Sequence, residues 1–250
     1  MTFAPNIERL SPAAIKALAP GGVLRAGVNL SNFLLVTGRT PTGEPVGVSP
    51  DMAKTIAEHI GLPLRYICYA SPGELADAAS RDEWDIALVG AEPQRAEHIS
   101  FTPAYTEIEA TYLVPSDSAL KTAKDVDAPG VRIAVAARTA YCLWLERNIR
   151  HAELIYADGI NGSFKMFLED GLDALAGLRP RLIDDEKNAP NMRMLPGRFM
   201  TVQQAIGVPK AKAAALPYLT GFVNWARASD WVAELIRKHG VSGLSVASSS

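Results

Sequence analysis

The sequence predicts an α/β protein of two lobes, each a parallel sheet flanked by helices, with two chain crossings between them. Three observations predict it. Short, evenly apolar strands alternate with amphipathic helices through residues 23–105, the pattern of right-handed crossover units on a parallel sheet. The run Pro115-Ser116-Asp117-Ser118 breaks that pattern, and a second alternation begins at Val131. Residues 198–206 then carry the chain back before a helical end that starts at Pro209. The first lobe is expected to comprise residues 1–114 with 209–250, and the second residues 115–208. Two such lobes form a cleft at their junction, where a small ligand is expected.

The elements follow in order. Ser11, Pro12, Ile15 and Leu18 read as a capped short helix. Residues 23–28 form the first strand, ending in the loop Asn29-Leu30-Ser31-Asn32-Phe33. Turn residues in 37–46 predict a surface hairpin. Ser49 as cap, Pro50 at the first helical position, Asp51 against the dipole and Gly61 as terminator bound the next helix, with Met52, Ile56 and Ile60 as its buried stripe. Strand Leu64–Tyr69 leads to Ser71-Pro72-Gly73-Glu74, a capping-box pattern that opens a helix ending near Arg81. Residues 86–89 are too short and too apolar for an exposed helix, so they belong inside a parallel sheet. Residues 109–114 leave the lobe as a strand.

In the second lobe, residues 131–136 are a strand, Thr139 a helix cap and 141–150 a helix. Residues 154–156 are a strand, 163–169 a helix with Gly171 beyond it, and 172–176 another strand. Pro217 fits only near a helix start, so Leu216–Ala228 is a helix that buries Leu219, Phe222, Val223 and Ala226. A last helix over 230–239 buries Val232, Leu235 and Ile236. The tail 245–250 is small and polar enough to be disordered. No internal sequence repeat is visible.

Composition excludes several functions. Hydrophobic residues are 48% and charged residues 21% of the 250, as in an ordinary soluble globular chain. The formal net charge is -2 with both signs interspersed, so no basic stripe points to nucleic acid. No run of about eighteen apolar residues could insert in a membrane. Four histidines and two cysteines show no metal-ligand spacing. No phosphate loop or nucleophile–base pair is visible either, so no metal and no cofactor are expected. Cys68 and Cys142, in different lobes, are expected to be buried apolar thiols. Residues 1–22 carry Glu8, Arg9, Lys16 and prolines where an export signal would carry an unbroken apolar core. The reading is that this stretch is no signal peptide: the signal was removed, or the protein stays in the cytoplasm.

The stretch Trp84 to Tyr105 organises the rest. Gly90, after the apolar strand, lets a backbone approach closely. Pro93 stops the strand, and Arg95 brings five fixed donors suited to a bidentate grip on a carboxylate. The plain alternative is a turn with a surface arginine. Asp85, the apolar run, Pro93, Arg95, Ile99, Phe101, Thr102, Pro103 and Tyr105, with Ala104 before the tyrosine, resemble the signature of family 3 extracellular solute-binding proteins. These are the receptors of polar amino-acid ABC importers, and the resemblance covers roughly residues 22–240.

The resemblance implies two Rossmann-like lobes joined by a two-crossing hinge, the periplasmic binding protein type 2 fold. It implies a monomer that closes around a small carboxylate-bearing ligand, with an ABC permease as partner and the periplasm as location. By position it implies that Arg95 clamps the carboxylate, with Gly90 and Glu92 beside it. Asn29 falls where the family has a polar residue near the ligand's amine, and Asn32 and Phe33 where an aromatic stacks on its side chain. Phe33, next to Leu34 and Leu35, reads equally as core. In the second lobe, the turn Arg138-Thr139-Ala140-Tyr141 precedes a helix start, whose free N–H groups favour an anion. Thr139 takes the position of the family's ligand-binding threonine or is a plain cap; Arg138 replaces a small residue and is otherwise a solvated arginine.

Amino-acid receptors of this type carry an aspartate for the ligand's ammonium where this chain has Leu178, next to Arg179. Either Glu92 supplies the missing charge, or the ligand has no α-ammonium and Arg179 adds a cationic contact. Arg179 otherwise pairs with Asp184 or Asp185. Two other functions stay open: a cytoplasmic sensor or scavenging module, and a dehydratase-type enzyme using Glu92 as a general acid.

Overall fold

The computed structural model describes residues 7–248. Its contacts separate the chain into two units, one holding residues up to Glu107 and from Gln203 onward, the other Ile108–Val202. These divisions fall earlier on both crossing segments than residues 114 and 208. Each crossing is one uninterrupted strand, so no change of pattern marks the passage.

Unit 1 begins with helix α1 (Pro12–Leu18), capped by Ser11 Oγ accepting from Ala14 N at 3.2 Å. Strand β1 (Leu24–Asn29) and the hairpin β2 (Gly38–Arg39) and β3 (Pro45–Val46) follow. Helix α2 (Val48–Ile60) starts earlier than expected, with Gly47 rather than Ser49 at its N-cap. Gly47 has φ of 151°, and a Cβ there would sit 2.2 Å from the Leu35 carbonyl oxygen, so only glycine fits. Ser49 instead makes a tertiary contact, its Oγ lying 2.8 Å from Tyr105 Oη with both residues buried. Gly61 ends α2 in the left-handed conformation, and Met52, Ile56 and Ile60 are buried as their spacing predicts.

Next come β4 (Leu64–Tyr69) and α3 (Pro72–Asp77), whose cap Ser71 accepts from Glu74 N; a 3-10 turn extends α3 to Arg81. β5 (Ile86–Gly90) is wholly buried. Parallel β1 lies between β4 and β5. The next strand, β6 (Ile99–Pro115), takes in Phe101 to Tyr105, well before the expected start at Glu109.

Unit 2 repeats the plan with β7 (Arg132–Ala136), α4 (Ala140–Asn148), β8 (Glu153–Ala157), α5 (Gly159–Glu169) and β9 (Ala174–Leu178). Parallel β7 lies between β8 and β9, and β6 runs antiparallel to β9. Leu113, Ala134, Phe167, Leu172, Leu175 and Leu182 form its core. β9 lies two residues beyond the expected strand, which makes Leu178 its last residue. Helix α6 (Arg179–Asn188) and strand β10 (Met192–Met194), antiparallel to β6, are not legible in the sequence. In α6 the run Arg-Pro-Arg-Leu-Ile-Asp-Asp-Glu-Lys-Asn holds only Leu182 as a buried apolar residue, so no stripe announces it.

β11 (Met200–Pro209) returns to unit 1 and pairs antiparallel with β5. A 3-10 segment, Lys210–Ala215, leads to α7 (Leu216–Ala228) and α8 (Trp231–Lys238). Leu219, Phe222, Val223 and Ala226 are buried as expected. The tail departs from the expected disorder: β12 (Ser245–Val246) pairs with β6 at Glu107 and Thr106. Residues 249–250 of that reading, and 1–6 of the leader reading, lie outside the described residues. Both cysteines are free. Cys142 is buried, which pushes its thiol up to about 12, whereas Cys68 is exposed on β4, contrary to expectation.

Candidate functional site

In open α/β sheets, ligands collect outside the carboxyl ends of the strands. Each unit has such an edge. In unit 1, neighbouring β1 and β5 end at Asn29 and Gly90. Asn29 Oδ1 accepts from Ser31 N at 3.1 Å and lies 2.8 Å from Ser31 Oγ, closing the turn that follows β1. Buried Asn32 accepts from Leu34 N at 3.3 Å. Leu34 and Leu35 are core, whereas the Phe33 ring is 37% exposed, so the aromatic of this loop is outside the core.

After Gly90 the chain turns through Glu92, whose carbonyl accepts from Ala96 N at 3.0 Å, into a 3-10 segment that starts at Arg95. Arg95 is only 5% exposed, and its Nη1 donates to the Gly90 carbonyl at 2.7 Å. The guanidinium is thereby folded over the end of β5, in the same short turn as buried Glu92. A buried arginine–carboxylate grip is stronger than an exposed one, since little water competes for the donors.

In unit 2, neighbouring β7 and β9 end at Ala136 and Leu178. Thr139 is the N-cap of α4: its Oγ1 accepts from Cys142 N at 3.2 Å and donates to the Ala136 carbonyl at 2.9 Å. Arg138, exposed, precedes it with φ of 62°. Tyr141 is buried in the first turn of α4, and burial pushes its phenol well above the ordinary value. Arg179 opens α6, and its Nε donates to Glu109 Oε2 at 2.6 Å, while its Nη2 donates to the Gly197 carbonyl. The expected partners are occupied elsewhere: Asp184 pairs with Lys187 and Asp185 with Arg181.

Glu109 Oε1 also accepts from Arg198 Nη1 at 2.6 Å. Arg198, and then Arg179, hold the Glu109 carboxyl below the usual range. Sequence reasoning singles out neither Glu109 nor Arg198. Their meeting depends on the β6–β9 register, which sets Ala110 opposite Leu178 and so brings Glu109 beside Arg179. Among the described residues, no group of three His, Cys, Asp or Glu side chains could hold a metal ion, and no helix is long and apolar enough to cross a membrane.

The sequence model of the bacterial extracellular solute-binding proteins, family 3, matches residues 25–242. The chain belongs to that family. No curated protein matches it by sequence. Solved structures do match it by shape. One is a mutant of ArgBP from T. maritima, with a TM-score of 0.72 and 20% identity over 92% of this chain and 100% of that one. Another is the cysteine-binding protein from Campylobacter jejuni, at 0.72 and 18% over 91% and 92%. A third is an ancestral amino acid-binding protein described as a precursor of cyclohexadienyl dehydratase, at 0.70 and 18% over 90% and 98%. At such identities the likeness is one of fold: a mixed α/β family 3 solute-binding protein of the periplasmic binding protein type 2 class.

Proposed function

We infer that this family 3 protein is the solute-binding receptor of an ABC importer and takes a small ligand that bears a carboxylate. Burial of Arg95 at the carboxyl end of β5 is the observation that carries the reading. The planar fork of an arginine suits a carboxylate better than any other small-ligand group. Gly90, Glu92, Asn29, Asn32 and Phe33 are the other candidates at the strand ends of unit 1; Arg138, Thr139, Tyr141 and Arg179 are the candidates in unit 2. The receptor acts as a monomer outside the cytoplasm, and its partner is the membrane permease of an ABC importer.

The test is a thermal-shift screen over amino acids and organic acids, followed by calorimetry on the best binder. Arg95→Ala should weaken it more than about tenfold, one charge-assisted pair being worth at least about 1.4 kcal/mol. Unchanged affinity would remove Arg95 from the site. Buried Glu92, together with the dehydratase-precursor relative, favours a second reading as a carboxylate lyase. Turnover of a bound cyclic carboxylate that is lost in Glu92→Gln would establish it.

A further inference from the structure

Strand β12 lies on the first crossing strand. In unit 1 the strands run β4-β1-β5-β11-β6, and β12 adds itself along β6, with Ser245 opposite Glu107 and Val246 opposite Thr106. Ala247 N donates to the Tyr105 carbonyl at 3.2 Å. Leu244 and Ala247, one on each side of β12, are buried, so an apolar side chain seats each end. Glu107 is the last residue of β6 that β12 pairs with, and Ala110, opposite Leu178, is the first that β9 pairs with. Ile108 and Glu109 lie between the two pairings, and the division between the units falls there too, after Glu107. A strand that passes from one unit to another flexes at a few such residues, so a segment paired up to Glu107 bounds that span on its unit 1 side.

Two further observations make this pairing easy to undo. β12 is two residues long, and the segment joining it to α8 turns twice with positive φ, at Gly240 (62°) and Gly243 (82°). Glycine makes both turns without strain, so β12 can leave β6 while α8 stays intact. The stretch that it covers also carries a cost of its own: Thr106 Oγ1 is buried and makes no hydrogen bond. A local opening that admits water would offset that cost. One side-chain contact at the same level does not depend on β12, because Gln203 Nε2 donates to Glu107 Oε2 at 3.1 Å. Gln203 is the first residue of unit 1 on the returning strand β11. Departure of β12 therefore loosens the crossing strand without freeing it.

We propose that β12 is a strap: its pairing with β6 at residues 105–107 limits the flexing of the first crossing strand, and its release lowers the affinity of the receptor for its ligand. The second half rests on the receptor reading, since a looser strand must be ordered again when ligand binds.

The test is hydrogen exchange on the whole protein and on Ala247→Pro, which lacks the N–H that the Tyr105 carbonyl accepts. Peptides covering residues 105–107 should exchange about tenfold faster or more in the variant, while those from β1 keep their rate. Calorimetry on the best binder of the thermal-shift screen should show binding at least about fivefold weaker, the low end of coupling between distant places in a protein. Leu244→Ala, which keeps every backbone N–H and removes an apolar seat, replaces the proline variant if that one folds poorly. Unchanged exchange at residues 105–107 overturns the strap, and so does acceleration that reaches β1, because β12 would then be an ordinary part of the fold. Local acceleration with unchanged affinity overturns the link to the ligand and leaves the receptor reading standing. Binding by no compound overturns the receptor reading and that link together, while exchange still decides the strap.

Discussion

Removing the Asp85 carboxylate should destabilise unit 1 far more than removing Asp173 destabilises unit 2, although both residues make the same local bonds. Asp85 N donates to the Arg25 carbonyl at 2.8 Å, and Arg25 N donates back to Asp85 Oδ2 at 2.8 Å. Asp173 N donates to the Arg132 carbonyl at 3.0 Å, and Arg132 N donates to Asp173 Oδ2 at 2.7 Å. The surroundings differ. The Asp85 side chain is 1% exposed and also accepts from Arg25 Nη2 at 2.7 Å and from Lys212 Nζ at 2.6 Å, with Lys212 itself only 8% exposed.

Asp85→Ala thus strands a buried ammonium and a guanidinium; losing one partner of a buried ion pair costs about 3–5 kcal/mol. Asp82, 2.6 Å from Lys212 Nζ but mostly exposed, retains part of that, so about 3 kcal/mol is expected. In unit 2 the side chains of Arg132 and Asp173 are 43% and 42% exposed, and their ions are 3.6 Å apart. Solvent screens that pair, and Asp173→Ala should cost about 1 kcal/mol. Lys212→Met in the Asp85→Ala background should recover more than about 1 kcal/mol, because it removes the stranded charge. Equilibrium unfolding in denaturant measures all three, with buried Trp84, next to Asp85, reporting on unit 1. Equal losses at Asp85 and Asp173, or strict additivity of Asp85→Ala with Lys212→Met, would refute the burial argument.

Two further expectations rest on other parts of the chain. Gly47→Ala should cost at least about 3 kcal/mol or abolish folding, because a methyl group at φ of 151° collides with the Leu35 carbonyl; a Tm within a few degrees of the parent would show that the loop can move aside. Glu109, held down by Arg198 and Arg179, stabilises the fold above the ordinary carboxylate value of about 4.3, and that contribution is lost as pH falls through its lower folded value. The side chain is 38% exposed, so screening limits the effect to under about 1 kcal/mol. The Tm difference between Glu109→Gln and the parent should therefore shrink from pH 6 to pH 3, and a constant difference would count against the pairing.

The elements are legible where local chemistry and burial agree. Ser11 and Thr139 are caps because each offers an oxygen three residues before a helical N–H. Leu216–Ala228 shows itself through Pro217 and a four-residue stripe that the core then buries. Local reasoning fails where a distant partner decides. Ser49 looks like a cap, but its hydroxyl goes to Tyr105, 56 positions away, and a glycine takes over the helix start. Helix α6 has too few apolar residues to be heard, and it holds the Arg179 that meets Glu109 across 70 positions. The candidate site follows the same division. Residues in strand-end turns are found from their neighbours, and what Arg179 touches is not.

Divergence hides a device that the two units share. No repeat is visible in the sequence, yet Arg25 with Asp85 and Arg132 with Asp173 stand at the same place, each pair one residue before the first matched residues of two parallel strands, Ala26 with Ile86 and Ile133 with Ala174. A strand slipped by one residue turns every side chain to the opposite face. An aspartate that exchanges bonds with the backbone of its neighbour forbids that slip at the amino end of the pair. Strands of near-equal length then bring their carboxyl ends level, Asn29 with Gly90 in one unit and Ala136 with Leu178 in the other. The turns bearing Glu92, Arg95, Arg138 and Arg179 hang from those ends. The register lock and the candidate turns thus occupy opposite ends of the same strands, so the turns can change in sequence without loosening the frame that carries them.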